Sequence, residues 1–240
     1  MSRGKKYVVI IGGTGGIGSS IVDFAIKSGF VVVATGTTEA GLKKIRKKFD
    51  NSNLITYKLD LQKTYSYEHF FQFIRNNFGN IEWIIHSAGY IKKNEFELKH
   101  NQKHIRKTFL INTESVISLT YKFLPLITKA GGVIVISSTS ALRGNAQYPI
   151  YSASKAALNT FSRALSDEMP SKMQASIAIC PGATNTSMRK KISSDYATKQ
   201  SPDVIGQVVS DILIKSKKYK SGDIVTVENN EIRVVPRSKN

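Results

Sequence analysis

Tyr151 and Lys155 are the residues whose types and spacing most directly point to chemistry. They stand four positions apart in Tyr-Ser-Ala-Ser-Lys, so a helix places both side chains on one face. A phenol ordinarily has a pKa of about 10, and a neighbouring ammonium favours its ionised form. By itself the pair could be an ordinary surface pair. Ser138, thirteen residues upstream at the end of a predicted strand, adds a hydroxyl that could hydrogen-bond the same substrate oxygen.

A glycine-rich turn follows the first apolar run of the chain. It reads Gly12-Gly13-Thr14-Gly15-Gly16-Ile17-Gly18, and glycine suits sharp turns and backbone N–H groups that approach a pyrophosphate. The helix predicted after it presents its positive end to the same place. The spacing of the glycines is wider than the usual dinucleotide fingerprint. We interpret the turn as a dinucleotide site, with a purely structural turn as the alternative.

Apolar runs alternate with helical patterns along the whole chain. Continuous β-branched runs between helices predict an α/β fold, a doubly wound parallel sheet of about seven strands with helices on both faces. No linker or repeat divides the chain, so a single domain over residues 1–240 is expected. The predicted strands are Tyr7–Ile11, Phe30–Ala34, Leu54–Leu59, Ile81–Ile85, Val133–Ser137, Ala175–Cys180 and Ile224–Val227. The predicted helices are Ile17–Lys27, Glu39–Phe49, Tyr65–Phe78, His104–Thr128 interrupted near Pro125, Tyr151–Glu168 ended by Pro170, and Asp203–Ile214.

The composition indicates a cytoplasmic protein. The chain has 240 residues, of which 41% are hydrophobic, and one cysteine, Cys180, which excludes an internal disulfide framework. The apolar run at residues 7–11 is short for a signal peptide, and no stretch reaches the ~18 apolar residues of a membrane span.

The net charge of +18 could attract an acidic partner such as nucleic acid, anionic lipid or an acidic carrier protein. The lysines are scattered, however, and no nucleic-acid-binding motif is present. We therefore favour a solvated basic surface and expect neither a nucleic-acid nor a membrane partner.

Together these residues resemble the short-chain dehydrogenase/reductase family, over essentially the full length of the chain. In outline the closest members are the beta-ketoacyl carrier-protein reductases. The resemblance implies a single-domain Rossmann fold that moves a hydride between a nicotinamide and a carbonyl/alcohol pair. The matching positions are Gly12, Gly16, Gly18, Asp60, Ala88, Gly89, Asn112, Ser138, Tyr151, Lys155, Pro181, Gly182 and Thr186.

The resemblance also implies roles for these residues. Tyr151 would be the general acid in reduction, and Lys155 would bind the nicotinamide ribose and favour the phenolate. Ser138 would orient the carbonyl, and Asn112 would hold a water connecting Lys155 to solvent. Asp60 would meet the adenine edge near the Leu61 backbone, and Thr186 would contact the carboxamide. The other implied cofactor residues are Thr14, Gly15, Ile17, Thr37, Thr38 and Thr184. No metal is expected, since the four histidines form no ligand-type cluster.

Three segments depart from the family pattern. Ile11-Gly12 replaces its Thr-Gly opening, which should matter little because the backbone does the binding. His86-Ser87 replaces a pair of asparagines that tie strands together, so a structural substitution is expected, with tuning of the cofactor pocket by His86 as the alternative. Asn229-Asn230 replaces paired glycines near the end, which puts the family's C-terminal packing in doubt.

The cofactor expected is NADP(H) rather than NAD(H). Members that prefer NAD carry an acidic residue just after the second strand, and Gly36 stands at that place here. Thr37 and Thr38 offer hydrogen-bond donors, and Lys43 and Lys44 follow closely. Nothing at this turn therefore repels a 2′-phosphate.

The segment Ser187–Ser201 is expected to form a lid over the substrate. It is short and basic, which would suit a carrier-linked, nucleotide-linked or other anionic carbonyl compound, or reflect exposed lysines without a role. A homodimer or homotetramer is implied by the resemblance. Two other classes remain as alternatives: a dinucleotide-binding regulator or scaffold, and a binder of anionic surfaces.

Overall fold

One mixed sheet organises the part of the chain that the structure, a computed structural model, describes: residues 4–92, 101–169, 174–192, 200–216 and 218–237. Its strands are β1 (Tyr7–Ile11), β2 (Val31–Gly36), β3 (Leu54–Lys58), β4 (Ile81–His86), β5 (Ile127–Ile136), β6 (Ala175–Pro181), β7 (Ile224–Glu228) and β8 (Glu231–Val235). Their order is β3-β2-β1-β4-β5-β6-β7-β8. All neighbours run parallel except β7 and β8.

Helices connect successive strands and cover the sheet. They are α1 (Gly16–Lys27), α2 (Glu39–Phe49), α3 (Ser66–Phe78), α4 (Gln102–Phe109), α5 (Ser115–Phe123), α6 (Ser140–Arg143), α7 (Pro149–Glu168), α8 (Ser187–Ile192) and α9 (Pro202–Leu213). A π-helical segment, Leu110–Glu114, joins α4 to α5, and a 3-10 turn, Leu124–Leu126, follows α5. Within the described ranges, no helix is long and apolar enough to cross a membrane.

Both faces of the sheet are buried, and β1 shows why its sequence is apolar throughout. Val8 and Ile10 point into a core shared with α1 and α9, whereas Val9 and Ile11 point into a second core shared with α3, α5 and α7. Because alternate residues of a strand face opposite sides, a strand covered on both faces has no polar side. The predicted doubly wound α/β architecture is confirmed.

The strand order reverses beside β1. The chain moves outward from β1 through β2 to β3 and then crosses back, so that β4 pairs with the other edge of β1. Connections leave in opposite directions at such a point, which opens a crevice beyond the carboxyl ends of the strands. The turns after β1 and β4 therefore border the expected ligand cleft.

The predicted helix His104–Thr128 and the strand after it need correction. Helical structure ends with the 3-10 turn at Pro125, and β5 already begins at Ile127, because proline cannot continue the hydrogen-bond ladder of a helix. Gly131 then lies so close to β4 that a Cβ would stand 1.6 Å from the Glu82 carbonyl oxygen. The first residues of β5 include few that are β-branched, so the sequence pattern did not identify them as part of a strand.

A β-hairpin at the C-terminal end brings the number of strands to eight. Asn229 and Asn230 form its turn with φ values of 53° and 65°. Two successive positive values define the tight turn that best matches strand twist, and asparagine tolerates them better than most residues. The two asparagines thus form a turn that pairs β8 antiparallel to β7 at the edge of the sheet.

This turn gives a stability prediction. Asn229→Ala should lower the free energy of unfolding by about 1 kcal/mol, because alanine pays the full penalty of a positive φ. Asn229→Gly should leave it within a few tenths of a kcal/mol, because glycine adopts that conformation freely. Urea denaturation of both variants measures the difference, and equal stability would contradict the left-handed turn.

Candidate active site

Lys155 is anchored to the end of β5 at two points. Its Nζ donates a 2.8 Å hydrogen bond to the carbonyl of Ile136, and its own carbonyl accepts a 2.9 Å hydrogen bond from the Ser137 hydroxyl. The side chain is 3% exposed. Because α7 starts at Pro149, which favours a first helical turn, the helix is fixed both where it begins and where it crosses β5.

Tyr151 lies one turn before Lys155 on the same face of α7, as the spacing predicted. The Lys155 Nζ is 5.9 Å from the centroid of the Tyr151 ring, and Tyr151 is only partly buried. A buried cation beside a partly exposed phenol is an arrangement that stabilises a phenolate.

Ser138 follows β5 directly and is 9% exposed. Its Oγ accepts a 3.1 Å hydrogen bond from the Ser140 N–H, and the next residue, Thr139, donates to the Pro181 carbonyl at 3.0 Å. These bonds fix the chain between β5 and α6, which packs against α7. Ser138 therefore belongs to the same end of the sheet as Tyr151.

Asn112 is fully buried in the π-helical segment and joins two parts of the cleft. Its amide nitrogen donates to the Tyr90 carbonyl and to the Ser154 hydroxyl, both at 2.9 Å. Its amide oxygen accepts a 2.7 Å bond from the Tyr90 N–H. Single turns of π-helix often occur at functional sites. The sequence predicted an uninterrupted helix here, so the widened turn is a further correction.

Burial changes the ionisation of two groups beside this cluster. Desolvation lowers the pKa of Lys155 to about 8, since a charged ammonium is costly away from water. Desolvation, with a smaller contribution from the Lys155 charge, lowers the pKa of His86 to about 3. His86 is thus neutral at any ordinary pH.

The departures at His86 and Ser87 keep a connecting role in this structure. The His86 Nε2 lies 3.0 Å from the Thr120 hydroxyl of α5, and the Ser87 N–H donates to the Ile11 carbonyl at 2.8 Å. The His86 side chain thus links β4 to α5, which favours the structural interpretation for His86. The bond of Ser87 is made by its backbone, and its buried hydroxyl has no partner among the described residues.

The glycine turn after β1 is packed too closely for side chains. Gly12 has a φ of 86°, and a Cβ there would stand 2.6 Å from the backbone nitrogen of Ala88. A Cβ on Gly18 would stand 2.2 Å from the Gly12 carbonyl oxygen, and one on Gly16 would stand 2.6 Å from the Thr186 side chain. The turn therefore brings together the ends of β1, β4 and β6.

The start of α1 fits a phosphate group. Gly15 precedes the helix, and among the described residues no side chain caps its first turn. Its early N–H groups, including that of Ile17, are the kind of donors that bind a pyrophosphate. A Cβ on Gly15 would come no nearer than 3.4 Å to other atoms, so this side of the turn is open.

The exit of β2 has no place for an acidic side chain at Gly36. A Cβ there would stand 2.5 Å from the Thr14 methyl group. Thr37 is exposed, and Thr38 caps α2 by accepting from the Gly41 N–H at 3.2 Å. The Thr38 hydroxyl thus already has a structural partner, whereas Thr37 has room to contact a ligand.

The turn after β3 is held by its own side chains. The Asp60 carboxylate accepts from the Gln62 N–H at 3.0 Å, and the Leu61 carbonyl accepts from the Tyr67 hydroxyl at 2.6 Å. The Leu59 N–H donates to the Gly36 carbonyl at 3.0 Å. Asp60 is therefore a turn residue whose second carboxylate oxygen can face the cleft.

The segment after β6 lies on the other side of the cleft. The Gly182 N–H donates to the Val227 carbonyl at 2.7 Å, and the Thr184 hydroxyl donates to the Gly182 carbonyl at 3.0 Å. The Thr186 hydroxyl caps α8 by accepting from the Arg189 N–H at 3.2 Å. Pro181 ends β6, and of the four predicted residues of this segment Thr186 lies against Gly16.

The expected lid is described only in part. Residues 187–192 form α8, whose last carbonyl, that of Ile192, accepts a 3.0 Å bond from the Tyr148 hydroxyl. Residues 193–199, including Tyr196 and Lys199, lie outside the described residues. The contact with Tyr148 places α8 beside the start of α7.

The chain belongs to the short chain dehydrogenase family, whose model matches residues 6–197. It is 28% identical over 196 residues to a benzil reductase ((S)-benzoin forming) of Saccharomyces cerevisiae, covering 78% of this chain and 74% of the relative. It is 28% identical over 197 residues to the 3-oxoacyl-[acyl-carrier-protein] reductase of Salmonella typhimurium, covering 81% and 80%. The predicted resemblance is confirmed.

A solved structure shows the same fold. A short chain dehydrogenase from Shigella flexneri 2a, complexed with NADP, superposes with a TM-score of 0.83 at 23% identity. The match covers 94% of this chain and 97% of that one. The family and the fold place the chain among oxidoreductases that bind a nicotinamide dinucleotide.

Three contributors to the site were not predicted from the sequence. Ser137 and Ser154 fix Lys155 and Asn112 by hydrogen bonds, and buried Gln200 bonds to Thr184 at 2.9 Å. The two serines flank predicted residues, so their position was a usable signal. Gln200 is distant in sequence from its other side-chain partner, Asn230, and carried no such signal.

The lowered pKa of Lys155 predicts a pH dependence of stability. Its ordinary value is 10.5 and its value in the fold is about 8, so the unfolded chain binds more protons between these values. Stability gained from this group therefore rises from pH 8 to 10.5, by at most about 3 kcal/mol. Lys155→Met should be stabilised relative to wild type most strongly near pH 7, with the advantage shrinking towards pH 10.

Chemical denaturation at several pH values measures this difference. The exposed Lys103→Met changes the net charge equally and should give a difference that varies much less with pH. A stability difference for Lys155→Met that stays constant from pH 7 to 10 would contradict the buried-cation assignment.

Proposed function

We propose that the protein is an NADP(H)-dependent oxidoreductase that interconverts a carbonyl compound and a secondary alcohol. The observation that carries the proposal is the buried Lys155 ammonium, bonded to Ile136 and close to the partly exposed Tyr151. A lysine sequestered in this way costs stability, and a purely structural site could use an apolar residue. Asn112 and Ser138 complete the set of polar groups at the same sheet end.

Tyr151 is the general acid for reduction and the base for oxidation. In reduction its Oη transfers a proton to the carbonyl oxygen, and the nicotinamide, when bound, supplies the hydride to the carbonyl carbon. Lys155 stabilises the phenolate left on Tyr151 by its positive charge. Ser138 orients the carbonyl oxygen through its hydroxyl.

Asn112 and Lys155 return the proton to Tyr151. The Asn112 side chain holds the Tyr90 segment against α7, and its amide oxygen, which accepts one bond from the Tyr90 N–H, has a second lone pair for a water that would bridge Lys155 to solvent. A lysine with a lowered pKa exchanges protons more readily near neutrality than an ordinary one. This relay rests on the family resemblance and on the burial of both residues.

The first prediction from this mechanism concerns Tyr151. Tyr151→Phe should lower turnover by about 10²–10⁴-fold, the usual contribution of a positioned acid, while NADPH binding changes little because the ring remains. NADPH oxidation with benzil and with acetoacetyl-CoA measures the rate, and fluorescence titration measures the affinity. The exposed Tyr121→Phe is the matched control and should keep full activity.

Undiminished turnover by Tyr151→Phe would refute the assigned acid. Wild type would also be tested on a broad panel of ketones, keto sugars and keto thioesters. If it binds NADPH but reduces none of these compounds, the alternative of a dinucleotide-binding regulator is favoured.

The dinucleotide would be held along the ends of β1, β2, β3, β4 and β6. The residues that would bind the pyrophosphate are Gly12, Thr14, Gly15, Gly16, Ile17 and Gly18; those for the adenosine are Thr37, Thr38, Asp60 and Leu61; and those for the nicotinamide are Ala88, Gly89, Tyr151, Lys155, Pro181, Gly182, Thr184 and Thr186. The preference for NADP(H) is supported by Gly36, where the Thr14 methyl group leaves no room for a carboxylate.

A second prediction tests this preference. Wild type should use NADPH more efficiently than NADH, and Thr37→Asp should lower kcat/KM for NADPH by at least about tenfold, since a carboxylate would face the 2′-phosphate. Its kcat/KM for NADH should change much less. Steady-state kinetics with both cofactors give the comparison.

Asn51→Asp adds the same charge at an exposed position beyond the far end of α2 and should affect neither cofactor. If Thr37→Asp lowers kcat/KM equally for NADPH and NADH, the assignment of NADP(H) is contradicted. A wild-type preference for NADH would contradict it as well.

The substrate is a small-molecule or carrier-linked carbonyl compound, and residues 187–201 form a lid over it. Exposed basic residues of α8, Lys190 and Lys191, favour an anionic group on that compound. We also propose a cytoplasmic homodimer or homotetramer, supported by exposed apolar residues on α4 and α5, namely Ile105, Phe109 and Tyr121.

A further inference from the structure

Gln200 is a buried polar residue at the point where the chain returns from the lid segment to α9. It is 2% exposed and forms three hydrogen bonds. Its carbonyl accepts from the Asn185 N–H at 3.0 Å, its Nε2 donates to the Thr184 hydroxyl at 2.9 Å, and its Oε1 accepts from the Asn230 N–H at 3.3 Å. Both polar atoms of its side chain thus have partners.

These bonds join the residues just before α8 to the chain just before α9. The backbone bond between Asn185 and Gln200 makes this connection directly. The side-chain bond to Thr184 continues to the Gly182 carbonyl, beside the predicted nicotinamide position. The bond to Asn230 ties these residues to the β7–β8 turn, in which Asn229 and Asn230 both have positive φ.

The same turn reaches the opposite wall of the cleft. The Glu228 carboxylate makes a bidentate pair with Arg143 at 2.7 and 3.1 Å, and Arg143 ends α6, shortly after Ser138. A Cβ on Gly182 would stand 2.9 Å from the Glu228 side chain, so the absence of a side chain at Gly182 leaves room for Glu228. The β7–β8 turn therefore contacts both sides of the cleft.

The two contacts differ in strength. Arg143 and Glu228 are 64% and 38% exposed, and exposed ion pairs contribute little to stability. Gln200 and Thr184 are both buried, so loss of the Gln200 side chain would leave the Thr184 hydroxyl without this partner, which is costly away from water. Gln200 is the stronger of the two connections.

We propose that Gln200 is a positioning residue, which locks the residues just before α8 to the β7–β8 turn and thereby fixes the substrate wall that α8 forms beside the start of α7. The proposal rests on the proposed function for its effect on substrate binding. The hydrogen bonds of Gln200 run to Asn185, Thr184 and Asn230, so its removal should weaken carbonyl binding more than it slows the chemical step.

The test compares Gln200→Met with a matched variant, Gln174→Met. Methionine has a similar length and lacks the amide group in both cases. Gln174 is also buried, at 5% exposure, but it precedes β6 at the opposite end of the sheet and bonds to the Ile127 and Thr128 carbonyls. Loss of a buried glutamine is therefore common to both variants, and only the place differs.

Gln200→Met should raise KM about tenfold, equivalent to about 1.4 kcal/mol, for whichever of benzil and acetoacetyl-CoA turns over. Its kcat and its affinity for NADPH should change less than about threefold, because most dinucleotide contacts are made by other strand ends. Gln174→Met should lower the Tm without changing KM. Gln200→Glu, which retains an acceptor for the Asn230 N–H, should give an intermediate KM.

Hydrogen exchange followed by mass spectrometry gives a readout that needs no turnover. Amides of residues 185–192 should exchange at least about tenfold faster in Gln200→Met, and at the wild-type rate in Gln174→Met. Unchanged exchange in Gln200→Met would overturn the proposal, as would equal KM values in the two variants. If wild type does not oxidise NADPH, the proposed function is refuted but the role of Gln200 is not, because the exchange comparison does not depend on turnover.

Discussion

The buried ammonium of Lys155 is the interaction on which the geometry of the cleft depends. Taking a charge out of water is costly, and the fold offsets part of that cost with the Ile136 carbonyl at 2.8 Å. Ile136 is the last residue of β5, and the hydroxyl of the next residue, Ser137, donates to the Lys155 carbonyl. The end of β5 and the register of α7 are therefore set by the same side chain. Tyr151, one turn earlier, takes its position from them.

A second constraint is close approach at the strand ends. Gly12 lies against Ala88, Gly16 lies against Thr186, and Gly18 lies against Gly12. At each of these positions a Cβ would overlap the neighbouring atoms. The turn after β1 can therefore stand against the segments after β4 and β6. These contacts are made by backbone atoms and small side chains. The residues that form the cofactor side of the cleft can therefore be recognised by their types within short stretches of sequence.

This explains which features the sequence could predict. The bounds of β1 and α2 follow from local patterns and agree with the structure residue for residue, and the Tyr151–Lys155 pair is visible from its spacing alone. The π-turn around Asn112 and the early start of β5 have no strong local pattern, because Tyr90, Ser154 and Glu82 determine them from elsewhere in the chain. The hairpin at Asn229 carried a readable turn signal, which the comparison with paired glycines concealed.

The substrate side of the cleft is built differently. Its connections join residues far apart in the chain, with 85 positions between Arg143 and Glu228 and 30 between Gln200 and Asn230. Such pairs depend on a precise β7–β8 turn, and the asparagines provide it where other members carry glycines. A change in that turn would alter the wall facing the substrate while leaving the bonds of Lys155 and Asn112 intact. Under the proposed function, the architecture separates the part that would perform the proton transfer from the part that would select the carbonyl compound, so that the second could change without loss of the first.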